Sequence, residues 1–83
     1  MKTVHKFPIN PGNNTIKVQR TGVPRHVGLD PSGVACIWIE VETTEAPIAR
    51  NFYAHGTGHK LSLHALKFVG TYVEGSFVWH VYA

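Results

Sequence analysis

The chain has 83 residues, 43% hydrophobic and 16% charged, which describes one small folded domain over residues 1–83 and excludes a disordered or fibrous chain. Eight Lys and Arg against five Asp and Glu leave a net charge of +3 with no basic block behind it, a balance that suits an anionic partner without demanding a nucleic acid. The single cysteine, Cys36, excludes an intrachain disulfide and a multi-cysteine zinc site, and the longest apolar run, residues 34–39, is far too short to span a membrane.

Eight glycines and five prolines cut the chain into short pieces, and no segment sustains a helical period. The pieces between are rich in Val, Ile, Thr, Tyr, Phe and Trp, the composition of strands. The first runs over residues 2–9, with Val4 and Lys6 on one side and His5 and Phe7 on the other. Residues 10–14, Asn-Pro-Gly-Asn-Asn, read as a turn. Residues 15–20 follow, with Ile16 and Val18 inward and Lys17 and Gln19 outward. After the break at residues 21–24, residues 25–29 pair with 34–42 across Asp30-Pro31-Ser32-Gly33, a tetrapeptide with proline second and glycine last. Residues 34–39 are apolar on both faces and so need cover on both sides, from a second sheet, a helix or another subunit. Residues 48–55 form the next strand, and 65–73 and 77–82 close a hairpin over Glu74-Gly75-Ser76. Seven short strands predict an all-β sandwich or small barrel, with one helical turn admitted near residues 60–66. Ile37, Ile39, Val41, Phe52, Leu66, Phe68 and Val78 or Trp79 are the expected core. So thin a domain also predicts a homo-oligomer, with any ligand pocket at the subunit interface.

The order of motifs resembles that of a family of small uncharacterised proteins of tailed bacteriophages and prophages. The resemblance runs nearly end to end, through Val4-His5-Lys6-Phe7-Pro8, Arg25-His26-Val27-Gly28-Leu29, Gly33-Val34-Ala35-Cys36-Ile37-Trp38 and Arg50-Asn51-Phe52. It continues in Gly56-Thr57-Gly58-His59, Val69-Gly70-Thr71-Tyr72 and the tail Phe77-Val78-Trp79-His80-Val81-Tyr82. Lys60 stands where those proteins usually carry proline, and Trp79 where phenylalanine or another apolar residue is usual. The resemblance implies a phage accessory protein working in the host cytoplasm, and no particular activity.

The most unusual stretch is His55-Gly56-Thr57-Gly58-His59-Lys60. Glycines around a threonine let backbone N–H groups converge on an anion, and Thr57 adds a hydroxyl while Lys60, His55 and His59 add charge. The same residues also suit a tight strand-ending turn with no ligand. His55, His59 and His64 have ligand-like spacing, but glycine breaks the helix such a set needs and no carboxylate completes it, so no metal is expected. His55-Gly56-Thr57 matches one half of a two-histidine phosphoesterase pattern whose second half is missing, and no serine has a recognisable base, so an enzyme ranks last and no cofactor is expected. Trp38 and Tyr53, near Arg25 and Arg50, could stack a base. The expected function is therefore non-catalytic: sequestration of an anionic small molecule, a nucleotide signal of host defence, by residues 56–60 with Arg25 or Arg50 and Tyr53 or Trp38. An inhibitor that docks on a host defence complex, of the anti-CRISPR or anti-restriction type, and a minor virion component are the alternatives.

Overall fold

The computed structural model describes residues 1–61 and 67–83. Seven strands follow one another: β1 (Lys2–Pro8), β2 (Gly12–Gln19), β3 (Val23–Leu29), β4 (Ala35–Glu42), β5 (Pro47–Gly56), β6 (Phe68–Glu74) and β7 (Phe77–Tyr82). They form two antiparallel sheets, β1-β4-β3 and β2-β5-β7-β6, packed as a sandwich and not closed into a barrel. The expected helical turn and Leu66 involve residues 62–66, which lie outside the described residues.

Alternation builds the core. Ala35, Ile37, Ile39 and Val41 of β4 point inward and meet Ile16 and Val18 of β2, Phe52 and Ala54 of β5, and Tyr72 and Val81 of the last hairpin. The opposite face of β4 is partly covered by its own sheet. Cys36 is buried between its partners Pro8 and Gly28, and the Trp38 ring leans on His26 at 5.2 Å. Burial pushes the Cys36 thiol up, so it behaves as a small apolar group. Ile37, Ile39, Val41 and Phe52 are buried as expected.

Three inward assignments shift. Phe68 is 55% exposed because a register shift between Phe68 and Gly70 turns it out of the core. Val78 and Trp79 are only half-buried, with Trp79 packed at the core's margin. Gln19, expected outside, is 7% exposed and donates from Nε2 to the Glu45 carbonyl at 3.0 Å, which satisfies the amide and pins the β4–β5 connection. Residues 12–14, read as turn, already belong to β2, where they pair with Ala54, Tyr53 and Phe52. The Asn14 side chain takes over the turn's work by accepting from Asn10 N–H and donating to its carbonyl.

The β3–β4 turn shows how local chemistry fixes register. Gly33 N–H donates to Asp30 O, and Gly33 sits at φ 82, a left-handed position that glycine takes without a Cβ penalty. Asp30 Oδ1 accepts from Ser32 and Val34 N–H, while Oδ2 takes Lys6 Nζ at 2.8 Å and so ties β1 to the turn. The Lys6 bond, then the two backbone bonds, hold the Asp30 carboxyl below its ordinary 3.8. A carboxylate depressed in the folded state stabilises fully above its unfolded pKa and loses that contribution as pH falls through the folded value. We therefore expect wild-type stability, measured by urea unfolding, to fall as the pH drops below about 4. Asp30→Asn should be less stable at neutral pH and show a shallower acid loss; an unchanged acid slope would contradict the assignment.

Candidate functional site

The residues expected to form one site lie in three places. Arg25 and Trp38 are on the outer face of the three-stranded sheet. Arg25 is the extra residue of the irregularity between Pro24 and His26, and its Nε pairs with Glu40 Oε1 at 3.1 Å. Tyr53, His55 and residues 56–60 belong to the far end of β5. Arg50 lies six residues earlier on β5, about 20 Å from Gly56 at strand rise. A single chain does not bring these three groups together.

Residues 56–60 fold as a tight turn. His59 N–H donates to Gly56 O at 3.0 Å, Gly58 has φ 85, and Thr57 N–H donates to Val78 O at 3.2 Å. Two of the N–H groups that an anion would need are thus spent on backbone. The His59 ring folds beneath Gly56, where a Cβ would stand 2.7 Å from it, and meets Trp79 edge-on at 6.1 Å. Gly56 therefore serves close ring packing. Lys60 is exposed.

On the outer face of the four-stranded sheet, Thr57 Oγ1 bonds His80 Nε2 at 2.8 Å and Thr71 Oγ1 bonds Nδ1 at 3.2 Å, so both ring nitrogens are held. Beside them runs a row of rings. Tyr53 stacks on His55 at 6.4 Å, His55 meets Tyr82 at 6.0 Å, and Tyr82 meets Phe68 at 5.6 Å. His55 Nε2 is buried with no hydrogen-bond partner among the described residues. No group of three or more His, Cys, Asp or Glu comes together among the described residues, and no helix there is long and apolar enough to cross a membrane.

The row ends at a groove of about 200 Å³, lined by Gly22, Val23, Pro24, Arg50, Lys67, Phe68, Val69 and Ala83. It opens where the start of β3 passes the start of β6. Further along β3 the close approach of Gly70 to Val27 joins the two sheets, since a Cβ on Gly70 would stand 3.0 Å from the valine. Lys67 is held to Ala83 by a reciprocal pair of backbone bonds. Arg50 is half-buried. Its Nη1 donates to Gln19 O at 2.9 Å and Gly22 O at 3.0 Å, and its Cζ lies 5.3 Å from the Phe52 ring centre. Burial pulls the Arg50 pKa down, partly offset by the Glu45 charge, yet guanidinium stays protonated. The Glu45 carboxylate is engaged by Thr21 N–H and Oγ1, and neither Arg50 nor Lys67 is in an ion pair among the described residues.

The family model of a domain of unknown function, DUF7352, matches residues 1–83. The chain belongs to that family. No curated protein and no solved structure matches it, so the chemistry of this DUF7352 domain rests on its own geometry. Of the groove, the sequence had singled out Arg50 alone. Lys67 carries no motif, and Phe68 reads as core until the register shift is seen.

The turn at residues 56–60 separates a packing role from a ligand role. Gly56→Ala must swing the exposed His59 ring off Trp79, and should cost about 0.5–1.5 kcal/mol in urea unfolding, the worth of one edge-on ring contact. The cost should shrink in a His59→Ala background, where the ring is gone. Equal costs in both backgrounds would show that His59 is not what Gly56 accommodates.

Proposed function

We propose that the protein is a non-catalytic binder of a small anion, held in the groove between Arg50 and Lys67. One observation carries the reading: a half-buried guanidinium, its charge only partly offset by Glu45 and in no ion pair among the described residues, lines a concavity together with the exposed Lys67, which is in no ion pair there either. Charges taken partly out of water are normally compensated. Here Arg50 Nη1 is satisfied by two carbonyls, while Nε and Nη2 make no hydrogen bond to the described residues. Those donors suit a phosphate or carboxylate oxygen pair, with Lys67 as a mobile point charge.

The described residues that line the groove all belong to one chain, so the anion contacts proposed here do not draw on the subunit interface expected from the thinness of the domain. In the phage setting that the sequence resemblance suggests, a binder of this kind would act by stoichiometric sequestration, which needs no catalytic set.

Calorimetry with inorganic pyrophosphate tests the reading. We expect sub-millimolar affinity that weakens as salt rises, because the contacts are ionic. Lys67→Gln, at an exposed position, should keep the fold and weaken binding roughly tenfold. Arg50→Lys should weaken it at least as much, since a point charge replaces the planar fork. No affinity tighter than about millimolar for wild type, or full affinity in Lys67→Gln, would remove the groove as the site.

A further inference from the structure

Resting on that reading of the groove, we infer that its anion is the phosphate of a nucleotide whose base lies on the Phe68–Tyr82 ring pair at the groove's rim. Phe68 belongs to both features: it lines the groove, and its ring meets Tyr82 edge-on at 5.6 Å with an interplanar angle of 72°. The fold leaves this large ring 55% exposed, beside a register shift that takes it out of the core. An exposed apolar ring next to two cations that make no ion pair among the described residues is the pairing that a ligand with one planar end and one anionic end requires.

The ring is backed as well as exposed. Tyr82 behind Phe68 is itself packed against His55, which stacks on Tyr53, so the row restricts the rotamers a stacked base would otherwise have to order. Charge selects the other end of the ligand. A phosphate monoester carries close to two negative charges at neutral pH and matches Arg50 and Lys67 together, whereas a carboxylate leaves one of them uncompensated. Base stacking is tolerant of base identity, so the surface fits nucleotides as a class.

Calorimetry with AMP, UMP, adenosine and inorganic phosphate, on wild type and on Phe68→Ala and Lys67→Gln, tests the inference. We expect AMP and UMP to bind about tenfold tighter than phosphate, the range that one stacked base contributes. Phe68→Ala should erase that advantage and leave phosphate affinity unchanged, while Phe68→Trp should retain it. Lys67→Gln should weaken nucleotides and phosphate alike. Because Phe68 is exposed, an unchanged melting temperature will show that Phe68→Ala is folded; if it is not, the Phe68→Trp comparison and the nucleotide-to-phosphate ratio in wild type still decide. Nucleotides binding no tighter than phosphate, an advantage that survives Phe68→Ala, or adenosine binding as tightly as AMP would each overturn the inference while leaving an anion groove in place. Absence of binding by phosphate and nucleotides together would overturn the groove reading itself.

Discussion

A guanidinium lies over the ring of the largest fully buried side chain, two residues along the same strand, and the rest of the arrangement depends on it. Arg50 and Phe52 share the inward face of β5, so the strand that supplies the core's ring also carries a cation to the core's edge. There Nη1 gathers the Gln19 and Gly22 carbonyls, which fixes the link between β2 and β3. That link sets where Val23 and Pro24 stand, and they wall the groove that Arg50 itself faces. Structure and candidate chemistry are thus coupled through one side chain: Nη1 holds the link between β2 and β3, while Nε and Nη2 make no hydrogen bond to the described residues.

A domain this small buries little and uses polar groups economically. Gln19 and Asp30 are inside only because each satisfies backbone or charged partners. Tyr72 is the contrasting case. Its hydroxyl is buried with no partner among the described residues, and burial, with the Glu74 charge, pushes its pKa up to about 12. Such a group is tolerated because its ring fills the core between the sheets.

The strands and turns were legible in the sequence because they obey local rules. Proline and glycine at fixed offsets marked the Asp30–Gly33 turn, and the period-two pattern that put Ile16, Val18 and Phe52 inward marked one face of a sandwich. The apolar run at residues 34–39 was expected to be covered on both sides; its inward residues are, but on the outer side Val34 is 46% exposed and Trp38 half-buried, with His26 of the same sheet against the Trp38 ring. The site was less legible, because it depends on contacts between residues distant in sequence. Gly56-Thr57-Gly58-His59 has the composition of an anion loop, yet Gly56 makes room for the His59 ring and two of the N–H groups bind carbonyls. Phe68 has the composition of a core residue, and only the register shift in the last hairpin exposes it. Arg50, Lys67 and Ala83 meet only once the two sheets have closed at β3 and β6.

A heteronuclear NMR titration with inorganic phosphate tests the central claim most directly, because it reports on every backbone amide at once. The account predicts saturable shifts at Gly22, Val23, Arg50, Lys67, Phe68, Val69 and Ala83, the residues around the groove that carry an amide proton. It predicts none above the salt control at Gly56, Thr57, Gly58, His59 and Lys60. Shifts concentrated in that turn instead, with the groove silent, would contradict it.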